Sequence, residues 1–171
     1  QDNECIRMME ALKQLDPKGS GRVPLSTFYS QPPSAEYQFK EAAHYLQMIG
    51  ALEDASGTPQ VRIANYVQGP SNCLAHSTYF SICCLAPCDG LMKELEGSIQ
   101  APTAPPEQLL TLTSNLSSPS VDAPRRLSSD LEEKLHAIAK RHDGEVPLHG
   151  RLFAQWMHFA FPLECPFPHV A

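Results

Sequence analysis

The sequence predicts an α-rich fold in which helix–loop–helix units meet through short β bridges and disulfides staple the chain. Three observations predict it. Apolar residues recur at helical spacing between proline-rich breaks. One five-residue frame occurs twice between helices, and the 171 residues include six cysteines.

The hydrophobic fraction of 42% is enough for a core. Sixteen prolines cluster at Pro32–Pro33, Pro102–Pro106, Pro119–Pro124 and Pro162–Pro168, so helices should be joined by stiff loops. The first helix is expected over 3–15, with Ile6, Met9, Leu12 and Leu15 on one face and Asp2 or Asn3 as cap. Pro17, Gly19 and Gly21 end it. Arg22 to Leu25 reads as extended, and a short helix follows from Ser26 until Pro32. A third helix is expected over 35–50 on the stripe Phe39, Ala42, Leu46 and Ile49. Gln60–Val67 alternates and is rich in β-branched and aromatic residues, which predicts a strand.

Residues 76–85 read as helical, and helices are expected over 87–99 and from Glu107 to Ser114. Residues 115–128 have the composition of an exposed connector. Ser129 with Glu132 has the capping-box pattern and opens a helix to Arg141. A Gly144 turn, a short strand at Val146 and a helix over 148–160 follow, and the proline-rich tail should be irregular and tied down by Cys165. These elements group as a helical unit over 1–68, a cysteine-rich segment over 69–100, a Pro/Ser-rich connector over 101–128 and a second unit over 129–171, within one compact domain.

The repeated frame is G-x-V-P-L, in Gly21-Arg22-Val23-Pro24-Leu25 and Gly144-Glu145-Val146-Pro147-Leu148. Asp16, Ser20, Gly21 and Val23 fall where an EF-hand loop has its first ligand, fifth residue, turn glycine and apolar bridge residue. Both units therefore resemble EF-hands, and Val23 and Val146 should face each other in short antiparallel strands; the strand at Gln60–Val67 is the rival partner for Val23 and would make the first 68 residues a self-contained pair. The calcium ligands fail. Lys18, Pro24 and Thr27 occupy the third, ninth and twelfth positions of the first loop, and Ala139, Arg141, Asp143, Pro147 and Gly150 take the ligand positions of the second. The expectation is a structural relic with no resident cofactor. A weak calcium site at Asp16 and Ser20 is the alternative.

Cys5, Cys73, Cys83, Cys84, Cys88 and Cys165 form an even, clustered set that predicts disulfides in an oxidising compartment. At least two bridges are expected, one joining a terminal region to the 73–88 cluster. Zinc would favour paired C-x2-C knuckles, which are lacking. The sequon Asn115-Leu116-Ser117 agrees with secretion, and Gln1 at the start is what a cleaved signal would leave. The net charge of −6 comes without a basic stripe, which argues against nucleic-acid binding. No apolar run approaches the length of a membrane span.

Catalytic patterns are weak. Cys73 and His76 are close only along the chain, His149 and His158 are nine apart, and Glu94 with Glu96 or Glu132 with Glu133 do not share a helix face. Arg125-Arg126-Leu127-Ser128 resembles a basophilic kinase site, against which stands an exposed loop before a helix cap. The segment 148–161 carries more apolar bulk than one stripe holds. Trp156, Phe159 and Phe161 are therefore candidates for a protein interface, unless the helix is buried all round.

The segments Val146 to Trp156, Glu164 to His169 and Ser71 to Cys88 resemble multi-copy predicted secreted and cell-surface proteins of dinoflagellate algae. The resemblance covers most of the chain, brings no catalytic residues with it, and implies a domain of a longer cell-surface or secreted protein. The expected function is a non-enzymatic structural or interaction domain, such as a subunit of an extracellular assembly or filament, whose partners are copies of itself or another protein chain. A calcium-dependent regulatory module is the first alternative and an enzyme the second.

Overall fold

The computed structural model describes residues 2–55, 57–70, 72 and 87–169, with side chains from Cys5 onward. The chain divides into two compact units, residues 1–85 with 169–171 and residues 86–168. The boundary falls inside the segment 69–100 that the sequence reads as one piece. Each unit is helical with short antiparallel strands; the second runs helix, strand, helix twice, and the first does so with one additional strand in its second half.

The first unit contains α1 (Asp2–Gln14), β1 (Arg22–Pro24), α2 (Leu25–Tyr29), α3 (Ala43–Met48), β2 (Leu52–Glu53), β3 (Gln60–Arg62) and α4 (Ile63–Val67). The strands order β1-β3-β2, with Val23 opposite Val61 and Leu52 opposite Val61 on the other side. The second unit contains α5 (Pro87–Ile99), β4 (Thr103–Ala104), α6 (Pro106–Ser114), α7 (Ser129–Lys140), β5 (Val146–Pro147) and α8 (Arg151–Ala160). Here Ala104 lies opposite Val146.

The bridges share one hydrogen-bond scheme. The Ile63 N–H donates to the Gly21 carbonyl at 2.9 Å, and the Leu25 N–H donates to the Pro59 carbonyl at 2.9 Å. In the second unit the Leu148 N–H donates to the Pro102 carbonyl at 3.0 Å. The counterpart of the Ile63–Gly21 bond would need an N–H on residue 106, opposite Gly144, and residue 106 is proline. Bonded and non-bonded pairs alternate along an antiparallel ladder. Pro24 opposite Gln60 and Pro147 opposite Thr103 therefore occupy non-bonded pairs, where a missing N–H costs nothing. That accounts physically for the proline in G-x-V-P-L.

The expected pairing of Val23 with Val146 does not occur. Each valine has a partner within its own unit, Val23 with Val61 and Val146 with Ala104. Closing the shorter stretch of chain costs less entropy, and consecutive segments usually become neighbours. The strand expected over Gln60–Val67 stops at Arg62, and Ile63–Val67 turns helical with all five residues buried. Burial of the whole turn outweighs the weak helix propensity of its β-branched and aromatic residues. The helix expected over 35–50 shrinks to α3. Upstream, Gln38 Nε2 donates to the Pro32 carbonyl, Tyr29 Oη donates to the Glu41 carbonyl, and Phe39 enters the core, so side chains take carbonyls that a helix would use. Along α1 the buried face is Cys5, Met8 and Leu12, one residue round from the expected stripe, and Ile6 is exposed.

The first core stacks Phe28 on Phe39 at 4.7 Å between ring centroids, and Tyr66 meets both edge-on. Tyr66 Oη donates to Glu41 Oε2 at 2.8 Å. Burial first, then the bond to Glu41, pushes the phenol far above its ordinary value. The second core gathers Leu91 and Leu95 of α5, Leu109 of α6, Leu135 and Ile138 of α7, and Phe153, Trp156 and Met157 of α8. Cys88 and Cys165, 77 residues apart, form a disulfide that ties the tail to the start of α5. This joins a terminal region to the cysteine cluster, as the sequence predicts. Cys5 is disulfide-bonded as well.

Residues 101–128 are more than a connector. They supply β4 and α6, and the stretch after α6 is pinned to its own unit. Leu116 and Leu127 are buried, Ser120 donates to the Glu164 carboxylate, and Arg125 donates to the Ala160 carbonyl at 2.7 Å. The α7 cap is Ser128, whose Oγ accepts from Leu131 N, so the box of Ser129 and Glu132 does not form. The helix expected over 76–85, with Cys73, His76, Cys83 and Cys84, lies outside the described residues.

Removing the 77-residue cross-link by Cys88→Ala with Cys165→Ala should lower stability by about 2–5 kcal/mol, read by urea denaturation. Tyr66 supplies a pH test. Its folded value lies above the unfolded one, near 10, so its contribution is complete below about pH 10 and declines as pH rises toward the folded value. Urea midpoints between pH 9 and 11.5 should fall more steeply in the native chain than in Tyr66→Phe. Equal slopes would remove Tyr66 as the cause.

Candidate functional site

The loop between α1 and β1 is closed by its own side chains. Asp16 is 7% exposed. Its Oδ1 accepts from Ser20 N at 3.1 Å and from Ser20 Oγ at 2.7 Å, and its Oδ2 accepts from Gly21 N at 2.7 Å. Gly21 has φ +80, a left-handed conformation that suits glycine at a sharp turn. Gly144 repeats it at φ +93, after Asp143 at φ +59. Asp16 and Ser20 are thus brought together as the sequence predicts, but they bond to each other and to the loop backbone.

Cations lie beside the bridge. Arg22 Nε donates to Glu53, Arg62 Nε lies 3.6 Å from the same carboxylate, and Arg62 also donates to the Gly50 carbonyl at 2.8 Å. Burial lowers the Arg62 guanidinium from its ordinary value, Glu53 opposes this, and Arg22 adds to it. In the second unit Thr103 Oγ1 donates to Glu145 across the bridge.

The interface candidates separate. Trp156 and Phe161 are core residues, 2% and 0% exposed, and not an open interface. Trp156 Nε1 donates to the Leu131 carbonyl at 2.8 Å, and the Arg125 guanidinium lies 4.8 Å from the centre of the Phe161 ring. A domain of this size can bury α8 on more than one side because the pinned stretch 115–128 and the tail also cover it. Phe159 is 39% exposed, with Lys134 Nζ 4.7 Å from its ring centre. It sits at an open cleft of about 270 Å³ between α7 and α8, with Ile138, Leu152 and one edge of Trp156 in the lining.

The histidines do not converge there. His158 is buried with Nδ1 2.8 Å from the Cys165 carbonyl, and His149 pairs with Glu96 at 3.3 Å on the surface. Asn115 is exposed at the end of α6, where its amide donates to the Thr111 carbonyl. Among the described residues no group of three or more His, Cys, Asp or Glu side chains is placed to hold a metal ion. No described helix is long and apolar enough to cross a membrane.

No family model, curated protein or solved structure matches this chain.

The helices of the two middle segments are expected from the sequence, but strand β4 and the role of α5-β4-α6 as a helix–strand–helix unit are not, because no acidic glycine-rich loop marks it. The available signal was an extended pair running into a helix, Val61-Arg62-Ile63 and Thr103-Ala104-Pro105. Sequence reasoning also missed the cations on the α7–α8 cleft, where Lys134 and Arg141 are seven residues apart on one helix face.

Asp16→Ala leaves two loop N–H groups without an acceptor and should cost about 2–3 kcal/mol. Asp16→Asn keeps one carbonyl acceptor and should cost less. Urea midpoints measure both, and equal losses would mean the acceptor pattern is not what closes the loop.

Proposed function

We propose that the chain is a pair of degenerate EF-hand-like lobes that works as a metal-independent structural or interaction domain of a secreted or cell-surface protein. The observation that carries this reading is the Asp16 carboxylate. In an EF-hand the first loop residue ligates calcium. Here both Asp16 oxygens are occupied by donors from Ser20 and Gly21. The loop's own N–H and hydroxyl donors thus take up the acceptors that a calcium ion would use.

The lobe arrangement supports the reading. Two helix–strand–helix segments joined through an apolar pair is the scheme of an EF-hand pair, and it occurs twice, at Val23 with Val61 and at Ala104 with Val146. Arg22 and Arg62 beside the first bridge would repel a divalent cation. The disulfides of Cys88 with Cys165 and of Cys5 support an oxidising compartment. The exposed Asn115 sequon agrees with glycosylation there.

Calorimetry with millimolar calcium should show no binding tighter than about 0.1 mM, the edge of weak extracellular modules. A sub-micromolar site abolished by Asp16→Ala would favour a calcium-regulated module instead. The interaction role is tested on protein from its native source by light-scattering mass in calcium and in EDTA. The reading expects one mass, larger than a single chain, in both. A monomer in both would contradict it.

A further inference from the structure

We propose that the cleft between α7 and α8 docks an acidic amphipathic helix of a partner protein. The inference rests on the reading of the chain as an interaction domain, but not on the state of its loops. The floor is apolar, formed by Ala137 and Ile138 of α7 and Leu152 and Trp156 of α8. Phe159 rims it, 39% exposed. A second cleft of about 310 Å³ shares Ile138, Arg141 and Leu152 with the first, so the two lie side by side and are taken together as the groove.

Charge identifies the occupant. Every ionisable side chain lining the groove is basic: Lys134, Arg141, His142 and Arg151, with no carboxylate among them. This occurs in a chain of net charge −6. None of the ion pairs between described residues engages Lys134, Arg141 or Arg151. Lys134 and Arg141 lie two helical turns apart, a spacing of roughly 10 Å along α7. An apolar groove flanked by cations at that spacing fits a helix with one apolar stripe and carboxylates on either side. The apolar anchors would supply affinity, and the charges would set the orientation and the on-rate.

Trp156, the only tryptophan of the chain, is just 2% exposed, so occupancy is read from the anisotropy of a fluorescein label on the added peptide. The probe is a synthetic helical peptide with a leucine–phenylalanine stripe and glutamates flanking it. A second peptide carries lysine at each glutamate position. The glutamate peptide should raise that anisotropy with a saturable dissociation constant in the micromolar range, weakening at least fivefold between 50 and 500 mM salt. The lysine peptide should bind at least tenfold more weakly. Lys134→Glu with Arg141→Glu should reverse that preference, whereas Lys93→Glu on α5 should not change it. The reversal keeps the test decisive, because a misfolded variant would bind neither peptide. Equal binding of both peptides, no binding of either to the native chain, or an unreversed preference would overturn the proposal. If the native assembly keeps its mass in EDTA while neither peptide binds, the docking surface fails and the interaction role stands.

Discussion

The short antiparallel bridge is the constraint on which each unit depends. A strand of two or three residues cannot satisfy its own backbone groups, and a single helix–strand–helix segment cannot cover its apolar face. Pairing meets both needs at once. The bridge places Val23 against Val61 in one unit and Ala104 against Val146 in the other, all four without exposure. From there the helices on either side are directed into a common core: Phe28, Leu46 and Ile63 in the first unit, Leu109, Leu135 and Phe153 in the second. Pro24 and Pro147 are compatible with such strands because they fall in non-bonded pairs of the ladder, and Pro106 because it sits at the first turn of α6.

Under the proposed EF-hand-like reading, the loops show how a metal-dependent geometry can persist after its ligands are replaced. A calcium ion in such a loop gathers oxygen ligands and thereby holds the turn. In this chain the turn before β1 is held by one carboxylate that accepts three hydrogen bonds, and Gly21 supplies the backbone conformation. The second unit relies on other fastenings: the disulfide at Cys165, the Ser120–Glu164 bonds, and the Arg125 guanidinium between the Ala160 carbonyl and the Phe161 ring. These are contacts between segments distant in sequence.

Much of the helical layout was legible in the sequence, and the reasons for the rest are physical. Helices α5, α6 and α7 begin within a residue of their expected starts, because proline or a capping serine marks each one. The face of α1 was misplaced by one residue because Cys5 was counted as a disulfide half and not as core, although it is both. Gln60–Val67 alternates like a strand, but tertiary burial of Ile63–Val67 decides the matter and no local pattern carries that information. The segment Pro102–Pro106 reads as a linker from composition, yet it contains a bridge strand and a helix start. The partner of Val23 was legible only as the rival strand at Gln60–Val67, and the partner of Val146 was not legible. The frame G-x-V-P-L drew attention to Val23 with Val146, whereas the nearer Val61 is the partner.

The pairing scheme is accessible to one nuclear Overhauser measurement. Non-bonded pairs of an antiparallel ladder bring opposing Cα atoms to about 4.5 Å. Strong Hα–Hα cross-peaks should therefore connect Arg22 with Arg62 and Thr103 with Pro147. Cross-peaks that instead connect the strand of Val23 with that of Val146 would contradict the account, because they would make the two G-x-V-P-L loops partners and dissolve the two separate bridges.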